Sequence, residues 1–159
     1  MAVVPRAAAT GCVRAEDFSP RLQTRLLVLQ PTPFCNIDCS YCYLPQRDDR
    51  SRMALATVRQ AAGRLREDSL VGDELTVVWH AGEPLVLPPR WYAEAFAAVA
   101  QVLPGVTVTH AMQSNATLID DAWCRFFRQH GVAVGVSVDG PAALHDAHRR
   151  TRRGGGTHA

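Results

Sequence analysis

No stretch of this sequence approaches the roughly 20 apolar residues that a spanning helix needs, so a soluble protein is expected. A long block of one charge is missing too. The 17 basic and 15 acidic residues are spread along most of the 159-residue chain, for a net charge of +2, which implies no nucleic-acid partner. No secretory signal core forms at the start, because Pro5 and Arg6 interrupt the short apolar opening MAVV. The cysteines do not have the even number of a disulfide framework. There are five, three of them crowded into positions 35 to 42, which fits a metal site in a reducing, cytoplasmic setting. What remains is an ordinary globular composition, 47% hydrophobic and 20% charged, with apolar material for one core. Arg149, Arg150, Arg152 and Arg153, beside Gly154 to Gly156, read as a solvated loop or fraying end rather than a phosphate patch.

After a polar, Pro-containing leader, residues 1–22, the chain alternates between two hydrophobic periods. RLLVLQ (25–30) is a short apolar run ended by Pro31 and Pro33, as a buried strand would be. Residues 53–69 space Leu55, Val58, Ala62 and Leu65 as a helix does, with Gly63 weakening the pattern. LTVVWH (75–80) predicts a second strand, and residues 89–102 a second helix with proline at its start. VTVTHAM (106–112) predicts a third strand, 120–130 a third helix with Gly131 at its exit, and VAVGVSV (132–138) a fourth strand without a following helix. Such alternation implies an α/β domain, residues 23–159, with a parallel sheet and right-handed crossovers. Ligand chemistry then belongs at the carboxyl ends of the strands. The segments just beyond those ends are CNIDCSYC, AGEP, QSNAT and SVDG.

Cys35, Cys39 and Cys42 are spaced closely enough for one loop to wrap one cluster, and thiolates favour soft metal centres. A closed 4Fe-4S cube takes four such ligands. Three leave either an incomplete set or one open iron for substrate or cofactor. Cys12 or Cys124 could supply a fourth thiolate, although Cys124, within WCRFF, reads as a buried core thiol. His80 reads as packed or bonded to backbone rather than catalytic.

The C-x3-C-x2-C triplet, with Tyr41 before its last cysteine, resembles the signature of the radical S-adenosylmethionine (SAM) superfamily. That resemblance implies a 4Fe-4S cluster on Cys35, Cys39 and Cys42. Its open iron would be chelated by S-adenosylmethionine, whose reductive cleavage yields a 5′-deoxyadenosyl radical. W-H-A-G-E-P-L (79–85) is similar to the family's Gly-Gly-Glu element and implies that Gly82 and Glu83 contact the methionine ammonium. Ala81 replaces the first glycine, which is tolerable if its φ stays negative. Without the resemblance, Glu83 would be a surface carboxylate. Q-S-N-A-T-L (113–118), S-V-D-G-P and H-D-A-H-R resemble the third- and fourth-strand loops of radical peptide and sulfatase maturases. They imply that Ser114 and Asn115 lie near the cofactor and that Ser137 and Arg149 hold its ribose or carboxylate. On their own these residues read as turn chemistry, and Asp139-Gly140-Pro141 as a strand-ending turn.

The span from Leu26 to His158 looks closest to cyclophane-forming peptide maturases of the GrrM/OscB type, in the SPASM group. That likeness implies the N-terminal part of a partial (β/α)6 TIM-like barrel, with about four units present, a ribosomally made precursor peptide as substrate, and an electron donor such as flavodoxin or ferredoxin. The family continues through further barrel units and a cysteine-rich C-terminal domain, so a truncated product or fragment is expected, with an open sheet edge and uncovered apolar surface. A non-catalytic electron-transfer module and an inactive remnant are the alternatives.

Overall fold

The structure is a computed structural model that describes residues 23–158. The expected leader, with Cys12, therefore lies outside the described residues. Four parallel strands form one sheet in the order β1 (Thr24–Leu29), β2 (Val71–Trp79), β3 (Thr107–Ser114), β4 (Ala133–Val136). Sequential order with no reversal is the winding of a (β/α) barrel wall, not of a doubly wound sheet. Helices α1 (Leu55–Glu67), α2 (Pro89–Val102) and α3 (Asp121–His130) supply the crossovers.

Their local sequence explains their limits. α2 begins with proline at its first position, where the missing N–H costs nothing. Asp120 caps α3 by accepting the Trp123 N–H at 2.8 Å, and Gly131 ends it at φ 61°. Several boundaries differ from expectation: β2 starts four residues earlier, pairing Val71 with Thr24, β3 runs two residues further, to Ser114, α1 is two residues shorter at each end, and β4 is shorter. The expectation that β4 lacks a following helix is corrected. Ala142–His148 forms a short helix, α4, started by Pro141 and anchored by buried His145.

Period-2 alternation divides the sheet into two faces. Leu29, Leu75, Val77, Trp79 and Met112 face the helices and are buried with Val58, Ala62, Tyr92, Phe96, Val99 and Trp123 in one core. Trp79 sits at its centre, fully buried and edge-on to Trp91 and Tyr92 at 5.7 and 5.4 Å. On the opposite face Leu26 and Val28 remain about half exposed, and on the helix-facing side Val136, at the end of β4, does too. Among the described residues β1 and β4 each pair on one side only, as expected of an open sheet. The Tyr92 hydroxyl donates to the Pro84 carbonyl at 2.7 Å, joining the core to the loop after β2. No helix among the described residues is long and apolar enough to cross a membrane.

Candidate functional site

Because the strands are parallel, the loops that follow β1, β2, β3 and β4 open at one end of the sheet. They enclose a cavity of about 150 Å³ lined by Cys35, Cys39, Tyr41, Cys42, Gly82, Glu83, Ser114, Asn115, Ser137 and Arg149, together with Ile37, His80 and Gln113. All ten residues singled out from the sequence line it. A wider cleft of about 540 Å³ at the starts of α1 and α2, lined by Arg52, Leu55, Arg90 and Trp91 among others, contains no thiol.

The cysteine loop is shaped by its own backbone. The Cys35 N–H donates to the Arg47 carbonyl at 3.2 Å, closing the loop's neck, and the Cys42 N–H donates to the Cys39 carbonyl at 3.1 Å. The three thiols are free and partly buried. Burial pushes the Cys35 and Cys39 thiols above their ordinary range, against the pull of the Arg149 guanidinium at Cys39. They rest protonated at neutral pH, and binding to a metal is what would deprotonate them. Among the described residues no three His, Cys, Asp or Glu side chains are grouped to hold a single metal ion. A 4Fe-4S cluster takes one thiolate per iron, so its ligands need not converge on a single ion. Cys124 is partly exposed on α3, not buried as expected, because the helix turns Trp123 and Phe126 to the core instead; it does not line the cavity.

After β2 the chain turns sharply. Gly82 has φ 62°, and a Cβ there would press into the Thr32 carbonyl and come within 2.7 Å of the Phe34 oxygen. Ala81 also has positive φ, 72°, which corrects the expectation of a negative value. Its neighbours dictate this: the His80 N–H is bound to the Leu29 carbonyl at 3.0 Å and the Glu83 N–H to the Phe34 carbonyl at 2.8 Å, so the two residues between must turn left-handed. His80 is exposed at the cavity rather than packed, and its bond is made by its own main-chain N–H.

Glu83 is no surface carboxylate. It is 1% exposed; Oε1 accepts from the Leu85 N–H at 3.0 Å and the Ser114 hydroxyl at 2.8 Å, and Oε2 from the Asn115 N–H at 2.8 Å. Burial raises its pKa while these three donors oppose the rise. The loops after β2 and β3 are thus tied through one carboxylate. Ser114 also accepts the Ala116 N–H at 2.9 Å, and the Asn115 amide donates to Asn36 Oδ1 at 2.9 Å and lies 3.8 Å from Cys35 Sγ. The same residues thus make turn bonds and reach the thiol loop.

Across the cavity, Arg149 Nε donates to Asp139 Oδ1 at 3.0 Å, Arg149 Nη1 lies 4.0 Å from Cys39 Sγ, and the guanidinium stands 5.5 Å from the Tyr41 ring centre. The Tyr41 hydroxyl donates to Asp139 Oδ2 at 2.5 Å. Burial, then this bond, pushes the Tyr41 pKa up to about 12, and the Tyr41 and Arg149 donors hold Asp139 below the usual carboxylate range. Asp139 was missed in the sequence because D-G-P reads as a turn; its carboxylate joins Tyr41 to Arg149. The Ser137 N–H donates to the Ser114 carbonyl at 2.9 Å, carrying the sheet ladder to the cavity's edge.

Comparison with known proteins fits this geometry. The model of the Radical SAM superfamily matches residues 29–159. A serine-type anaerobic sulfatase-maturating enzyme of Klebsiella aerogenes is 40% identical over 146 residues, which cover 90% of this chain and 36% of that enzyme. Among solved structures, native anSMEcpe with bound AdoMet and Kp18Cys peptide superposes with a TM-score of 0.74 at 22% identity, over 84% of this chain and 37% of that one. Streptococcus suis SuiB bound to precursor peptide SuiA superposes with a TM-score of 0.57 at 18% identity, over 80% and 27%. At these identities the structural likeness is one of fold. The chain spans little more than a third of the curated relative's length.

Proposed function

This chain belongs to the Radical SAM superfamily, and on that premise we propose that Cys35, Cys39 and Cys42 hold a 4Fe-4S cluster whose fourth iron is left for S-adenosylmethionine. The observation that carries the reading is that three thiols and seven further candidates, drawn from the carboxyl ends of four strands and the end of α4, line one cavity. When bound, the reduced cluster supplies the electron that cleaves S-adenosylmethionine to methionine and a 5′-deoxyadenosyl radical, which takes a hydrogen atom from substrate.

The chain's own residues prepare that site. Gly82 lets the loop after β2 lie directly against the Thr32–Phe34 backbone, which sets its main chain in the cavity wall where a ligand's amino group would bind. Glu83 keeps one acceptor position on Oε2 beyond its three bonds, enough to receive an ammonium hydrogen. Asn115 and Ser137 stand at the rim for ribose hydroxyls. Arg149, aimed by Asp139, meets a carboxylate or ribose, and Tyr41 offers a ring face to the adenine. The half-buried cavity limits water around these groups, which strengthens each contact.

The substrate of the whole protein is a ribosomally made peptide, modified by side-chain crosslinking, and reduction comes from a flavodoxin or ferredoxin. Residues 23–159 act as its radical SAM core domain. Support for a peptide comes from two structural neighbours, anSMEcpe with bound Kp18Cys peptide and SuiB bound to precursor peptide SuiA; support for crosslinking is the motif resemblance.

The test is anaerobic reconstitution with iron and sulfide, followed by dithionite and S-adenosylmethionine. A cluster with about four irons and formation of 5′-deoxyadenosine are expected. A cluster without 5′-deoxyadenosine would remove the cleavage activity from this chain. Cys39→Ala should abolish the cluster, and full iron content in that variant would refute the ligand assignment. Loss of the cluster in Cys12→Ala or Cys124→Ala would instead point to a closed electron-transfer site.

A further inference from the structure

The segment after α4 has a structure that its composition hides. Residues 149–156, expected as a solvated loop, run along the cysteine loop. The Asp38 N–H donates to the Arg150 carbonyl at 2.7 Å, the Ser40 N–H to the His148 carbonyl at 3.0 Å, and fully buried Ile37 pairs with Thr151 in an antiparallel bridge. The segment is itself held from behind. Asp146 Oδ1 accepts the Thr157 and His158 N–H groups at 2.8 and 2.9 Å, and the Thr157 hydroxyl donates to the Arg149 carbonyl at 2.8 Å.

From this platform Arg152 spans the neck of the thiol loop. Its Nε donates to the Cys35 carbonyl at 2.7 Å, its Nη2 to the Arg47 carbonyl at 2.5 Å, and its Nη1 pairs with Asp48. The guanidinium also lies 5.1 Å from the Phe34 ring centre. The same Arg47 carbonyl accepts the Cys35 N–H, so one planar fork grips both sides of the neck and shares an acceptor with its backbone closure. Three acceptors met by three different guanidinium nitrogens suit the planar fork of arginine; an ammonium on a flexible stem cannot reach all of them at once. Arg152 does not line the cavity, so it touches neither cluster nor cofactor.

We propose that Arg152 is a positioning residue for the cluster: it clasps the loop that carries Cys35, Cys39 and Cys42, so that the thiols are held in place before iron arrives and iron escapes slowly afterwards. The proposal rests on the reading of these cysteines as cluster ligands. Two measurements on the full chain separate its failure from the failure of that reading.

In the metal-free chain, alkylation of Cys35 and Cys124 by iodoacetamide is followed by mass spectrometry in wild type, Arg152→Ala, Arg152→Lys and Arg153→Ala. Loss of the clasp should raise the Cys35 rate about tenfold in Arg152→Ala, with only partial recovery in Arg152→Lys. Cys124 in all variants, and Cys35 in Arg153→Ala, should react as in wild type. In the reconstituted chain, iron release to a chelator should be about tenfold faster in Arg152→Ala at equal starting iron. Unchanged Cys35 alkylation in Arg152→Ala overturns the clasp, as does a parallel rise at Cys124, which would mark general unfolding. Equal iron-release rates overturn the role toward the cluster. If wild type takes up no iron, the cluster reading fails and with it the positioning role, while the alkylation arm still decides whether Arg152 holds the loop.

Discussion

His110 gives the chain a pH-dependent stability that can be isolated from the chemistry of the cavity. The imidazole lies on β3 on the helix-facing side, stacked on Phe96 with ring centres 3.6 Å apart, and its Nδ1 accepts the Trp79 Nε1–H at 3.3 Å. Burial, aided by the nearby charge of His130, lowers its pKa from 6.5 to about 4. Protonation would place a charge in the aromatic core and remove the acceptor for Trp79. Since the folded value lies below the unfolded one, the unfolded chain takes up the proton first. The contribution is intact above pH 6.5, declines as pH falls from 6.5 to 4, and is gone below about 4. At 1.36 kcal/mol per pKa unit the full loss is about 3 kcal/mol, most of it already present at pH 4.5. Urea unfolding at pH 7.5 and 4.5, for wild type and His110→Phe, checks this. The variant loses the Trp79 acceptor, costing about 1–3 kcal/mol at both pH values, but its stability should fall less on acidification, by about 2–3 kcal/mol. Carboxylates such as Asp139, Asp146 and Glu83 titrate in both proteins and cancel in the difference. Equal pH dependence in the two proteins, or an NMR titration of the His110 ring near 6.5, would refute the reasoning.

Other outcomes follow from the site. Ala81→Gly should stabilise the chain by about 0.5–1 kcal/mol in urea unfolding, because the relief of a left-handed alanine outweighs the added freedom of the unfolded chain. Glu83→Ala leaves Leu85 N–H, Ser114 hydroxyl and Asn115 N–H without their acceptor and should cost about 3 kcal/mol or more, whereas Glu83→Gln, which keeps one acceptor oxygen, should cost less. Equal losses for the two would argue against the carboxylate as the tie between the loops. Asp139→Asn should bring the Tyr41 titration down from about 12 toward 10 in ultraviolet absorbance, and no movement would show that burial alone sets it.

Much of the architecture was legible because it depends on local periods. Alternating residues in LTVVWH and three- to four-residue spacing in α2 report which side of each element meets the core, and Pro89, Asp120 and Gly131 mark ends through backbone chemistry that acts within a few residues. α4 escaped notice because seven residues around two histidines carry no clear apolar period. The positive φ of Ala81 escaped too, since it goes with hydrogen bonds from the His80 and Glu83 N–H groups to the Leu29 and Phe34 carbonyls, about fifty residues away in sequence.

The sequence by itself determined the order of strands and helices, the thiol triplet, and the polar segments that end the strands, because each of these is written in spacing along the chain; the further site residues came from motif resemblance. Only the tertiary structure decided that Glu83 is buried between two loops, that Asp139 joins Tyr41 to Arg149, and that Arg152 returns across 117 residues to grip the carbonyl of Cys35. The physical reason is that charged side chains such as these follow no period. Their partners are selected by where the parallel strands bring distant loops together, and a carboxylate or guanidinium there acquires its role from the donors and acceptors it meets.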